Sequence, residues 1–273
     1  MRSLSFVGLA ILVATCVQVP VAKADLLQDV KAKRKLVCGT LTDVEPLGFT
    51  DPKTRQVVGF DVDTCAAIAK HLGVQLEHKG LTVEARIPEL TLGRVDIVAA
   101  ALGYTKERAQ QIAYTHAHYQ AAIRVLVKAS SGITTLAQLN GKKVSATQGS
   151  TPELFARRKL PGATIMTFQD VSTAFLALQQ DKVSGFAISE FGSLRFKQQS
   201  GGQVKSLDEP LAWEATGLGV RKGEPAFLAE VNHILEAMEQ SGELDRLWDK
   251  WYGPNTRFNV KREKRLTPIE KLE

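Results

Sequence analysis

The chain has 273 residues, 44% of them hydrophobic and 23% charged, with a formal net charge of +6. That is enough for one large domain or two modest lobes with proper cores, and it excludes disorder, a collagen-like fibre and a multi-span membrane protein. The basic surplus gathers at Lys31, Lys33, Arg34 and Lys35 and again at Lys261, Arg262, Lys264 and Arg265, with no interleaved aromatic residues. Such runs are solvated faces or tails rather than a nucleic-acid surface.

In chain order, Arg2 begins a short positive region, residues 4–17 are apolar, Pro20 breaks the run and Ala22-Lys23-Ala24 offers small residues at a cleavage spacing. This is the pattern of a secretory leader over 1–24, with a mature product starting at Asp25. A lipoprotein anchored through Cys16 is the rival reading, and Thr15 fits that motif poorly. Without Arg2 and Lys23 the chain holds 33 basic and 29 acidic residues, a net +4. No later stretch reaches the length of a spanning helix.

From residue 35 the pattern alternates. A strand is predicted over 36–40, a helix after Asp61 or Asp63 ended by Gly73, a strand over 74–77, a helix over 87–92 and a continuous apolar strand over 95–101. Thr105 caps the next helix. A β-rich segment over 120–128 opens a second unit: strand 143–147, helix 151–158, strand 164–168, helix 171–180 and strand 185–189. Helices over 225–240 and 243–251 close the chain, split by Ser241-Gly242. Two α/β units in succession, with largely parallel sheet, place ligands at strand ends beside helix N-termini, across a cleft. Cys38 and Cys65 are free to pair in an oxidising compartment, or to stand as two buried thiols.

Arg108 falls in the first turn of the helix capped by Thr105, against the positive end of the helix dipole. That placement makes sense if its guanidinium grips an anion, since its fork matches a carboxylate in two parallel bonds. A surface arginine paired with Glu107 is the plain alternative. Gly149-Ser150-Thr151-Pro152-Glu153 is a well-made helix start whose N–H groups and hydroxyls can meet the same anion from the other side.

Gly59-Phe60-Asp61-Val62-Asp63, Arg86-Ile87-Pro88, Gly93-Arg94-Val95-Asp96, Thr105-Lys106-Glu107-Arg108 and Trp251-Tyr252-Gly253 stand in the order and spacing of one family. Over residues 35–269 the chain resembles the family 3 bacterial solute-binding proteins, the periplasmic receptors of polar amino-acid ABC importers. The resemblance implies an α/β chain of the type II periplasmic-binding-protein fold, two α/β lobes joined by a two-strand hinge. Lobe 1 would be residues 25–119 plus 216–273 and lobe 2 residues 120–215. It implies a monomer that captures a small carboxylate ligand, most simply a polar amino acid, for an ABC permease in the inner membrane, with no cofactor and no metal.

In the family, the arginine matching Arg108 holds the ligand carboxylate, helped by backbone near Ala101 and Gly103 and by the loop matching Ser150 and Thr151. Two positions depart from the pattern. The family's ammonium-binding aspartate is Ser189 here, with Glu190 beside it, so either Glu190 supplies the charge or the ligand is a non-amino organic acid. Position 44 is valine where many relatives carry an aromatic ring; Tyr104 or Trp213 could take its place. Asp43 and Glu45, if they face the cleft, would favour a cationic or hydroxylated ligand. His116 and His118 lie near the hinge with no third metal ligand in register. A cyclohexadienyl dehydratase-like enzyme on the same scaffold, with Glu190 as general acid, is the alternative function.

Overall fold

The computed structural model describes residues 25–272. The leader read over 1–24, and Cys16 within it, lie outside the described residues.

The first unit runs α1 (Leu26–Lys33), β1 (Lys35–Thr40), β2 (Asp43–Val44), β3 (Gly48–Thr50), β4 (Val57–Val58), α2 (Phe60–Leu72), β5 (Gln75–Gly80), α3 (Arg86–Thr91), β6 (Ile97–Val98) and α4 (Lys106–Ala109). The long β7 (Ile112–Lys128) then leads into β8 (Lys143–Thr147), α5 (Thr151–Lys159), β9 (Thr164–Phe168), α6 (Val171–Gln179), β10 (Gly185–Ser189), α7 (Glu190–Gln199) and β11 (Val204–Ser206). Strand β12 (Ala212–Arg221) returns to α8 (Pro225–Gln240) and α9 (Glu243–Trp251).

Side chains and glycines set many of these ends. Asp25 accepts from the Leu27 N–H at 3.0 Å, Asp170 from the Thr173 N–H at 2.8 Å, and Ser150 from the Glu153 N–H at 3.1 Å. Each satisfies an amide that the first helical turn leaves open. Helix α2 stops at Gly73, whose φ of 69° lies in the left-handed region open to glycine.

One sheet, ordered β5-β1-β6-β12-β7-β10-β8-β9 with β11 also on β7, crosses the whole molecule. Its outer strands are parallel, β1 to β5 and β6 at one end and β8 to β9 and β10 at the other. The expected parallel character holds there and fails at the centre. Strands β7 and β12 pair antiparallel from Ile112–Arg221 to Ile123–Ala212, with register shifts around Gly217. Beyond that ladder β7 pairs with β10 and β11. These two strands are the hinge between the α/β lobes. The β-rich run expected over 120–128 is the far half of one strand of 17 residues.

Two cores sit under the outer layers, one joining β1 to α2 and α8, the other packing α5 on β8. A third cluster runs from Leu41, Leu47 and Phe60 of one lobe to Val171, Phe175 and Phe186 of the other. The lobes are therefore apposed on apolar surface. Cys38 and Cys65 form a disulfide between β1 and α2, with Cα atoms 6.3 Å apart. Among the described residues no helix is long and apolar enough to cross a membrane.

Candidate functional site

The strand predicted over 95–101 keeps only Ile97–Val98 in the β6 ladder, because the chain turns sharply at Ala101. Ala101 has a φ of 48°, a left-handed conformation that costs a Cβ-bearing residue about 1–2 kcal/mol. Two buried side chains hold it there. Asp61, in the first turn of α2, accepts from the Ala101 N–H at 2.9 Å. Arg86, in the first turn of α3, donates from Nη1 to the carbonyls of Ala100 (2.9 Å) and Ala101 (2.8 Å).

Arg86 is only 3% exposed. Its Nε also donates to Val83 O at 2.6 Å, and its Nη2 to Gly149 O at 3.2 Å, across the lobe boundary. Burial pushes the guanidinium down to about 9, so it remains a cation at neutral pH. Burial likewise lifts the Asp61 carboxyl to about 7, with the Ala101 N–H and Arg86 opposing the shift.

Between the lobes lies a small, partly open cavity of about 50 Å³. Ala101, Arg86 and Glu214 line it from the first lobe and the hinge; Thr147, Ser150, Thr151 and Ser189 line it from the second. Leu41, Val44, Val83, Val171 and Ile188 complete its apolar wall. The N-terminal end of α5, where the helix dipole is positive, opens on it through Thr151.

Of the residues expected at the site, Ala101, Ser150, Thr151 and Ser189 share this cavity. Arg108 stands beside it, lining a more open depression with Thr105, Gly149, Ser150 and Glu153. Its Nη1 donates to Gly103 O at 2.7 Å and its Nη2 to Gly149 O at 2.8 Å, so both guanidinium groups reach the same lobe 2 carbonyl. Gly103 borders the cavity: a Cβ there would come within 2.1 Å of Glu214 Oε2.

Other expected residues face elsewhere. Glu190 turns away from the cavity; its Oε1 lies 3.8 Å from Arg124 Nε, and it lines a separate depression behind the hinge with Phe191 and Trp213. The cause is local. Ser189 caps α7, accepting from the Gly192 N–H at 3.3 Å, and Glu190 begins the helix on the opposite side. Asp43 accepts from the Val171 N–H at 3.4 Å, and Glu45 pairs with Arg257. Neither acid lines the cavity. Tyr104 packs edge-on against Tyr114 at 5.3 Å, and Trp213 is 61% exposed at the outer face of the hinge. Neither fills the place of an aromatic at position 44, and Val44 itself meets the cavity. His118 is buried against Phe60 and its ring is pushed down to about 3 by burial, while His116 pairs with Glu236 at 3.1 Å.

The sequence reading missed Arg86 and Glu214 as site residues. Glu214 is 7% exposed on β12 and accepts from the Thr151 hydroxyl, at the start of α5, at 2.5 Å. Burial raises its pKa, against the lowering effects of Thr151, Arg108 and Arg86. The available signal was one acid inside the otherwise uncharged run Ala212-Trp213-Glu214-Ala215-Thr216, since carboxylates are almost never buried without a partner.

The sequence pattern of the bacterial extracellular solute-binding proteins, family 3, matches residues 36–254. The ABC transporter glutamine-binding protein GlnH of Bacillus subtilis (strain 168) is 30% identical over 235 residues, 84% of this chain and 85% of that protein. An ancestral arginine-binding protein solved with bound glutamine is 33% identical, with a TM-score of 0.76 over 81% of this chain and 98% of that one. The ancestral amino acid-binding protein AncCDT-1, a precursor of cyclohexadienyl dehydratase, is 31% identical, with a TM-score of 0.77 over 83% and 99%. Two α/β lobes on a two-strand hinge, a cavity between them, and this match across most of the length together place the protein: the chain belongs to the bacterial extracellular solute-binding proteins, family 3.

Proposed function

We propose that the chain captures a carboxylate-bearing molecule of the amino-acid class between its lobes and hands it, as a monomer outside the inner membrane, to an ABC permease. The observation that carries this reading is the meeting of Arg86 and Arg108 with Gly149 and the start of α5 at the edge of the interlobe cavity. Two guanidinium groups and a helix N-terminus on one carboxylate are a strong anion site. The relatives named for glutamine and arginine support the ligand class. The hinge supports lobes made of residues 25–119 plus 216–273 and of 120–215, each closing on the ligand.

Ligand contacts with both lobes favour the closed form by their difference in affinity between states, and the permease would read that form. Arg108→Ala should weaken binding of the carboxylate about a hundredfold, the scale for truncating one partner of a charge pair. Its empty-state melting temperature should stay near that of the parent. Isothermal titration with amino acids checks this; an unchanged dissociation constant rejects the role of Arg108.

A catalytic reading is favoured by one observation, the buried Glu214 carboxyl with its raised pKa, the state a general acid needs. In that reading the acid is Glu214 rather than Glu190. Its hydrogen-bond partner is the Thr151 hydroxyl rather than a second titratable group, which favours a binder. Prephenate recovered unchanged after incubation with the protein supports binding alone; its turnover supports the enzyme.

A further inference from the structure

The ligand's second charge and its side chain are the open chemical questions. Resting on the capture reading above, we infer that the ligand is an α-amino acid with an aliphatic side chain, its ammonium held by Glu214. Ser189 stands where the family resemblance implies an aspartate, and its hydroxyl is already engaged as the cap of α7. Glu190 faces Arg124 on the far side. Glu214 is the carboxylate that lines the cavity, and the Thr151 hydroxyl at the start of α5 fixes its Oε2.

Gly103 supports the assignment independently. Any side chain there would strike Glu214 Oε2, so glycine at 103 is what lets this carboxylate reach the strand end where Ala101 and Arg108 converge. Each ligand charge then has a partner. Arg86 and Arg108 answer the ligand carboxylate and Glu214 answers the ammonium, whereas a buried charge without a partner is strongly disfavoured.

The side chain meets a different wall. Leu41, Val44, Val83, Val171 and Ile188 surround the remaining space. Asp43 and Glu45, the acids that a cationic side chain would need, are spent on the Val171 N–H and on Arg257. A guanidinium or carboxylate side chain would enter this wall unpaired, and a branched hydrocarbon would not.

The test is calorimetry on the protein freed of co-purifying ligand, with leucine, its deaminated analogue 4-methylpentanoate, and arginine. Leucine should bind tightest and 4-methylpentanoate about a hundredfold more weakly. Glu214→Gln, nearly isosteric, should close that gap by weakening leucine while leaving 4-methylpentanoate within about threefold, on the scale for losing a charge pair. Gly103→Ala, which displaces the carboxylate, should do the same. Arginine binding tightest, or a gap that survives Glu214→Gln in a folded variant, overturns the inference while leaving carboxylate capture standing. Silence of all three ligands in the parent protein overturns both.

One readout needs no variant. Arg86 of α3, Arg108 of α4, and Tyr114 and Tyr119 of β7 are the titratable groups that face Glu214. Below neutrality, in two buffers of different ionisation enthalpy, leucine should release more protons on binding than 4-methylpentanoate does. Equal proton counts overturn the assignment.

Discussion

Ala101 is held in the left-handed region from both sides, its N–H by Asp61 and its carbonyl by Arg86, and neither acid nor base is solvated. This clamp sets the strand end that lines the cavity, and its electrostatic cost is readable as a pH dependence. Asp61 titrates near 7 in the folded chain against an ordinary value of 3.8, so between those limits the folded state keeps a proton that the unfolded state has lost. Stability therefore falls as pH rises across that window, by roughly 4 kcal/mol at most. Asp61→Asn, which keeps an acceptor for the Ala101 N–H but cannot ionise, should lack this decline. Urea unfolding of both proteins at a series of pH values would show their difference growing from about pH 4 to 7 and levelling above it. A constant difference would mean that Asp61 ionises normally. Glu214 has the same sign of shift, so amino-acid affinity should weaken as pH falls through a range above its ordinary 4.5.

Among the elements, the lobe 1 strand β1 and helix α2 are tied by the Cys38–Cys65 disulfide, closing a loop with a sequence separation of 27. A loop of that length removes about 3–4 kcal/mol of unfolded-state freedom in the chain-entropy account. The double variant Cys38→Ser, Cys65→Ser should lose about that much stability in denaturant unfolding without a change in ligand affinity, since neither residue lines the cavity. A loss of binding larger than the loss of stability explains would show that α2 positions the site through this tie. Helices α5, α6 and α7 each start on a hydroxyl or carboxylate cap, and the first was plain from Ser150. Helix α7 was not read. Its cap is Ser189, which the resemblance assigns to the ligand instead, and its turns mix Gly192, Arg195 and Lys197 with few apolar residues.

At the scale of the whole molecule, the contacts that cross between lobes are what closure consists of. They include Arg86 and Arg108 on Gly149, the Val171 N–H on Asp43, Arg158 on Glu107 at 2.7 Å, and Arg195 on Asp43 O at 3.0 Å. Surface pairs such as Arg158–Glu107 add little by themselves, so closure depends on ligand and on the shared apolar surface. Small-angle scattering should give a larger radius of gyration for the ligand-free protein than for the liganded one. Identical radii would mean that the lobes stay shut without cargo.

The alternating strands and helices, their caps, and the family motifs were set by local periodicity, turn chemistry and spacing, which a linear chain carries by itself. The expectation for Arg108 was local too, because a cation in a first helical turn is an anomaly, whereas its seat on the Gly103 and Gly149 carbonyls beside the cavity is tertiary. Which carboxylate lines the cavity was decided only when β12 packed along β7 and brought Glu214 against Thr151, 63 residues distant in the chain. Glu190 lies next to the expected position and still points away, because the first turn of α7 rotates it toward Arg124. Neighbours in sequence share a loop; neighbours in a cleft share only the packing of separate elements, and that packing is not written in any one segment.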